Sequence, residues 1–259
     1  MTGIPTPAAS PAIQPTATDL TGSVLIRTLF TQGSYVDDTS TVEWVQGPAW
    51  FCDVRRPADF VRPRGTCLRR MERTDLAELA RQEGFAGRLT DRAASGTIPA
   101  HVEWSHVVDL HPGAAVDAGT LEYGPDHLIE RGVHADYLEH WTERARGDAE
   151  AHRLTDTENG ADGVLVRVGD RFGWARGHPP RTIGRADPDA ALRDAQDALD
   201  CEIALGDIVG DAWTITFSTL PFREGTRLDP RFHPGGATTA NLDPDGAPYT
   251  RTWVAANQE

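Results

Sequence analysis

Short runs of β-branched and aromatic residues, separated by clusters of Gly, Pro, Asp and Asn, recur along the whole chain. That rhythm predicts antiparallel strands joined by turns. In the first half the runs are Ser23–Phe30, Thr41–Val45, Trp50–Arg55, His101–Leu110 and Thr120–Tyr123. In the second half they are Gly163–Val168, Arg171–Ala175, Glu202–Ile208, Ala212–Ser218 and Tyr249–Val254. Gly169-Asp170 and Gly210-Asp211 each lie between two such runs, where a two-residue primed hairpin turn needs a residue at positive φ. Alternation over Ala212–Ser218 puts Trp213, Ile215 and Phe217 on a dry face and Thr214, Thr216 and Ser218 on a wet one.

Two stretches carry helical spacing instead. Over Thr74–Gln82, Leu76 and Leu79 share a face and Thr74 is placed to cap. Over Pro188–Leu199, Asp187 is the expected N-cap, Pro188 takes the first position, and Leu192, Ala195 and Leu199 form a stripe. Ala135–Arg144 fits both periods: Tyr137 and Trp141 are i,i+4 neighbours, whereas alternation puts Tyr137, Glu139 and Trp141 on one strand face. Its β-rich surroundings favour the strand. The polar stretch Gly147–Asp162 reads as a connection between halves, and residues 225–248, with PGG and DPDG, as a long surface excursion.

These elements predict a mainly β chain of two antiparallel β-barrels with a few short helices. Residues 1–18, rich in Pro, Thr and Ala, are expected to be a disordered tail without the charged and apolar regions of a secretory signal. Residues 19–150 form the first barrel in this reading, and 151–259 a second barrel-like half with a turn-rich end. No internal repeat shows by identity, although each half offers about five strands and one helix.

Charge narrows the partners. All 25 basic residues are Arg and the formal net charge is −14, so nucleic acid and anionic membranes are not expected to bind. The all-Arg usage reads first as a codon bias. A neutral or cationic small molecule fits better. Three scattered cysteines, Cys52, Cys67 and Cys201, build neither a disulfide framework nor a metal knuckle, which points to a reducing compartment, the cytoplasm. No run reaches the roughly eighteen apolar residues of a membrane helix. Oligomeric state is left open.

The residues Trp44, Gln46 and Asp53-Val54-Arg55-Arg56-Pro57, followed by Phe85-Ala86-Gly87, Trp104, Asp117-Ala118-Gly119, Glu130-Arg131-Gly132, Tyr137, Glu139 and Trp141, give the chain a family likeness. Over about residues 20–220 it resembles the lipocalin-like paired-barrel proteins of the fungal Hri family and their bacterial relatives. The resemblance implies two lipocalin-like barrels in one chain and carries over no catalytic residue. The Pro-rich start and the segment after Arg223 have no counterpart in it. Paired calyces are also used by lipocalin-like pericyclases of specialised metabolism, but a shared fold does not imply a shared function.

Several residues are candidates for chemistry. Along Trp50–Arg55, Trp50, Cys52 and Val54 face one way and Phe51, Asp53 and Arg55 the other. If the second set points inward, Arg55 anchors a ligand carboxylate or carbonyl, held by Asp53; the plainer alternative is a structural ion pair. His106 falls on a face with Val102, Trp104, Val108 and Leu110, where a buried imidazole can act as general acid or base, with Asp53 as a second such group. A hydrogen-bonded core histidine is the ordinary alternative.

Seven Trp suit a cavity that grips an apolar or aromatic molecule, and equally suit barrel packing. Trp44, Trp104, Tyr123, Tyr137 and Trp141 join Arg55 as candidate ligand contacts. No metal is assigned: His101, Glu103, His106 and His111 are split between strand faces, and His127, Glu130, His134 and His140 follow no ligand spacing. No cofactor is assigned either, since the chain has no Lys for a phosphate loop, no GxGxxG opening a helix and no GxSxG. Three functions stay open: binding of a small apolar molecule in a Trp-lined barrel, a cofactor-free cyclase, isomerase or lyase, and a protein-interaction module.

Overall fold

The computed structural model describes residues 14–113, 116–178 and 190–256. The first sheet holds β1 (Ser23–Gln32), the short β2 (Tyr35–Asp37), β3 (Thr41–Gln46), β4 (Trp50–Arg56), β5 (Glu83–Arg92), β6 (His101–Asp109), β7 (Asp117–Tyr123), β8 (Leu128–Gly132) and β9 (Leu138–Arg146). Sequential strands pair antiparallel, and β9 returns to pair with β1, from Ser23 opposite Arg146 to Thr31 opposite Leu138. Apart from β2, which extends the β1 hairpin, this is a closed eight-stranded barrel. Closure removes the exposed edges that an open sheet presents.

The second sheet is a half-barrel, in keeping with the barrel-like second half expected from the sequence. It contains β10 (Ala149–Asp156), β11 (Asp162–Val168), β12 (Arg171–Arg176), β13 (Glu202–Val209), β14 (Ala212–Ser218), β15 (Arg231–His233), β16 (Gly236–Leu242) and β17 (Pro248–Ala255), in the order 14-13-12-11-10-17-16-15. A strap over residues 225–228 runs across the gap between β14 and β16. The Ile215 amide donates to the Thr226 carbonyl (3.0 Å), the Leu228 amide to the Trp213 carbonyl (2.9 Å), and the Ala240 amide to the Leu228 carbonyl (2.8 Å). Leu228 is fully buried there among Phe172, Trp174 and Ile215.

Each sheet carries one α-helix at an equivalent place: α1 (Arg73–Leu79) between β4 and β5, and α2 (Ala190–Ala198) between β12 and β13. The N-cap of α1 is Glu72 in a capping box with Asp75, not Thr74, because Glu72 is the last extended residue and its carboxylate reaches the first-turn amides. The cap expected for α2, Asp187-Pro188, lies outside the described residues. Among those residues no helix is long and apolar enough to cross a membrane.

The two sheets pack face to face. Val24, Val45, Cys52, Val54, Ala86 and Val108 of the barrel meet Val164, Val166, Ala175, Ile203 and Leu205 of the half-barrel in one buried layer. At Gly173 the sheets approach closely: a Cβ there would lie 2.6 Å from Cβ of Cys52, so only glycine fits. Two further apolar clusters fill the interiors: Leu25, Val42, Trp44, Phe51, Phe85, Leu89, Val102, Trp104, Leu121, Leu128 and Trp141 in the barrel, and Leu154, Phe172, Trp174, Ile215 and Trp253 in the half-barrel.

A β-bulge breaks the alternation in each sheet. On β6, Gly87 of β5 faces His106 and Ala86 faces Val108, leaving Val107 as the extra residue. A Cβ on Gly87 would lie 1.6 Å from the Ser105 carbonyl oxygen. The bulge turns the strand over. Val102, Trp104 and His106 therefore face the barrel interior, while Val108 and Leu110, expected on the same side, face the other sheet. Thr216 plays this part on β14 opposite the step from Leu205 to Gly206, sending Ile215 inward and Phe217 into the layer between the sheets.

Three other expectations are corrected. Gly147–Asp162 is not a connector, because β10 occupies most of it, pairs with β11 and β17, and turns Ala149 and Ala151 onto the core. Residues 225–248 are not a surface excursion: β16 alternates buried Ala237, Thr239 and Asn241 with half-exposed neighbours. Of the expected tail, residues 1–13 are outside the described residues. Residues 14–18 pack against the barrel, with Gln14 donating to the Ala100 carbonyl (2.7 Å) and the Ala17 amide to Asp91 (2.9 Å).

Candidate functional site

The barrel interior divides into an apolar part and a charged part. In the apolar part Trp44 stands edge-on to Trp104 (5.6 Å between centroids) and to Trp141 (5.4 Å). Its indole N–H donates to Gln46 Oε1 at 3.0 Å, so the polar edge is satisfied inside the protein. Trp44 is thus buried with Trp104 and Trp141 in the apolar cluster of the barrel interior.

In the charged part, strand alternation brings Arg27, Asp53, Arg55, Glu130 and Glu139 to the interior. Arg55 donates from Nε to Asp53 Oδ1 (2.9 Å) and reaches Glu139 (3.4 Å), with its guanidinium 4.9 Å from the centre of the Phe85 ring. Arg27 bridges Glu139 (2.8 Å) and Asp37 (2.9 Å). Burial pushes the Asp53 carboxyl up to about 6 against the attraction of Arg55. Burial also tends to raise Asp37, but the amides and hydroxyls of Ser40 and Thr39 outweigh it and hold that carboxyl down at about 2.

A hydrogen-bonded chain leads from this interior to the surface. The Trp141 indole N–H donates to Glu130 Oε2 (3.0 Å), and Tyr137 Oη lies 2.7 Å from Glu130 Oε1 and 3.4 Å from Asp117 Oδ1. Burial, reinforced by Glu139 and Asp117, lifts Glu130 well above the usual carboxylate range. Asp117 is raised too, by burial first, against the pull of Arg55 and His106. The Tyr137 hydroxyl is held protonated by burial and by the same two carboxylates.

The hydrogen-bonded chain stops at Asp117, whose Oδ2 lies 3.9 Å from His106 Nε2, beyond hydrogen-bond reach. On the other side of the imidazole, Nδ1 meets Asp109 Oδ2 at 2.8 Å. Burial works to raise Asp109, but hydrogen bonds from His106 and from the His111 amide outweigh it and leave the carboxyl lowered. An ionised carboxylate only accepts, so in the neutral ring the proton sits on Nδ1 and Nε2 carries the lone pair. That Nε2 is buried and has no hydrogen-bond partner. The imidazole lies flat on Phe85, 4.2 Å between centroids and 9° from parallel, which fixes its plane.

A gap in the barrel wall lies beside this mostly buried ring. Among the described residues β6 and β7 pair only from Val102 to Trp104, opposite Gly119 to Asp117, and no described strand pairs with β6 beyond Trp104 on that side. The opening is a cleft of about 440 Å³, walled by Trp104, His106, Val108, Asp109, Val116 and Asp117 among others. Its size suits a small organic molecule. In the half-barrel the equivalent gap is closed by the strap that carries Leu228.

Of the residues read from the sequence, His106 and Trp104 line the cleft, and Tyr137 and Trp141 stand behind it in the chain to Asp117. Arg55 and Asp53 form an ion pair whose guanidinium lies 4.9 Å from the centre of the Phe85 ring, and Trp44 is core. Tyr123 is half-exposed at the end of β7 and joins none of them. Sequence reading missed Arg27, Asp109, Asp117 and Glu130 as site residues. Alternation with Tyr137 and Trp141 signalled that Glu139 faces inward, but nothing local marked Asp117, which arrives through the gap beside β6.

No family model and no curated protein matches the chain. Among solved structures, the uncharacterized protein YLR301w of Saccharomyces cerevisiae superposes at a TM-score of 0.53 with 13% identity, covering 91% of this chain and 98% of that one. The likeness is one of fold. It extends over both sheets, so the pairing of the two is shared with the yeast protein.

Proposed function

We propose that this protein binds a small organic molecule in the cleft between β6 and β7, with an apolar body against Trp104 and the valines and a polar group between His106 and Asp117. The observation that carries this reading is the buried Nε2 of His106, which has no hydrogen-bond partner among the described residues, is oriented by Asp109 and lies 3.9 Å from Asp117 in the lining of the cleft. A buried acceptor without a partner costs about 1–3 kcal/mol, which a ligand donor would recover. This places the ligand beside the Trp cluster of the barrel interior rather than within it, with Arg55 acting through the field it sets.

Two broader readings belong to the same proposal. A lipocalin-like architecture is supported by the two paired sheets, and kinship with the Hri family by the sequence motifs from Trp44 to Trp141 alone. A cytoplasmic setting is supported by three buried, free thiols, Cys52, Cys67 and Cys201.

Native mass spectrometry of freshly purified protein tests the binding reading. A mass excess that is reproducible in the natural protein and absent from His106→Gln supports it. An excess retained equally by both would place the ligand elsewhere.

A further inference from the structure

Resting on that binding reading, we propose that the cleft is an acid–base site for carbonyl compounds, with His106 Nε2 as the base and Asp117 as the acid. The geometry supplies both roles. Nε2 is a lone-pair acceptor because Asp109 holds Nδ1–H, and Asp117 Oδ2 stands 3.9 Å away, separated enough for a substrate's C–H and carbonyl oxygen to engage one group each. Behind Asp117, Tyr137 and Glu130 continue the chain inward, so the acid has a hydrogen-bonded route on the side away from the base.

The step balances without an oxidant or cofactor. Asp117 donates its proton to the carbonyl oxygen while His106 takes a proton from the adjacent carbon. The C–H bonding pair becomes the new C=C bond, and the carbonyl π pair moves to oxygen. The products are an enol, an imidazolium and the Asp117 carboxylate. In return, the imidazolium delivers its proton to carbon and the enol hydroxyl gives its proton back to Asp117, which exchanges the α-proton or, in an unsaturated ketone, shifts the double bond. Asp109 and Tyr137 are positioning residues: one fixes the tautomer of the base, the other orients the acid. The apolar wall of Trp104, Val107, Val108 and Val116 fits an aryl or alkyl body.

The test uses the full chain and 2-tetralone in D2O, with α-proton exchange followed by NMR and binding read in the same tube by saturation transfer from protein to ligand. The natural protein should exchange the α-protons roughly a hundredfold faster than buffer with equal free imidazole. Asp117→Asn should return the rate towards the buffer value while saturation transfer persists, and His106→Gln should lose both exchange and saturation transfer. Tyr137→Phe should displace the pH profile of exchange without abolishing it. Saturation transfer with no excess exchange, or exchange untouched by either cleft variant, overturns the acid–base assignment but leaves the binding reading standing. Absent saturation transfer overturns the assigned ligand class.

Discussion

His106 Nε2 and Asp117 Oδ2 face each other across 3.9 Å at the stretch of β6 that pairs with no described strand on one side. Two separate features create that relationship. The bulge at Val107 ends the run of inward-facing residues at His106, and the short β6–β7 pairing lets Asp117 stand beside the opening instead of beneath a strand. The half-barrel has the same bulge but fills its gap with Leu228, which explains why the candidate site lies in the first sheet alone.

Removing the bulge glycine should damage the fold. Gly87→Ala sets a Cβ 1.6 Å from the Ser105 carbonyl, a clash that only backbone movement relieves. The expected loss is on the order of 2–4 kcal/mol, read as a lower urea midpoint. Gly33→Ala, where a Cβ meets nothing within 4 Å but φ is +59°, should cost less.

Trp44 is assigned to packing. Trp44→Ala should therefore destabilise the protein by about 3–5 kcal/mol, as a large buried ring leaves a cavity. In urea titration an effect below about 1 kcal/mol would mean that the barrel interior is looser than its edge-on Trp contacts indicate.

Stability should depend on pH in two opposite ways. Asp53 titrates near 6 in the folded state, above its unfolded value, so its contribution is fully present below about pH 4 and is lost as pH rises through about 6. Glu130 and Asp117 are raised as well and act in the same direction. Asp37, held at about 2, contributes above its unfolded value and loses that contribution as pH falls through about 2. Urea midpoints should accordingly rise between pH 7 and pH 5, then fall in stronger acid. In Asp53→Asn the rise between pH 7 and 5 should be smaller.

The buried pair of Glu43 and Arg171 ties the barrel to the half-barrel. Glu43→Leu leaves the guanidinium with only Asp207, and breaking a buried pair from one side costs about 3–5 kcal/mol. The double variant Glu43→Leu/Arg171→Met should recover part of that loss in the same denaturation assay.

Much of the fold was legible because both sheets obey period-2 alternation over long stretches. Ten strands were readable near their observed places, and Val168 opposite Arg171 and Val209 opposite Ala212 are the hairpins that Gly169 and Gly210 announced. Strands with weak alternation escaped: Glu83–Arg92 opens with Gly84 and Gly87, and Gly236–Leu242 buries Thr239 and Asn241, which read as polar turn residues. Alternation grouped Asp53 and Arg55 with Phe51 on one face, and the structure shows that this face is the inward one. The split of Val108 and Leu110 from His106 did not follow from alternation, since a bulge is set by the Gly87 contact across strands and leaves no mark in the β6 sequence. For the same reason Asp117 became a site residue only once its distance from His106 was visible.

The most direct test of the central claim is a small-fragment titration followed by the ¹⁵N resonances of the protein. Bound fragments should shift the His106 imidazole and the amides of Ser105, Val107 and Asp117, and His106→Gln should abolish these shifts. Fragments that perturb only the half-barrel, the rim around Tyr123, or no residue beside the β6–β7 gap would contradict that claim.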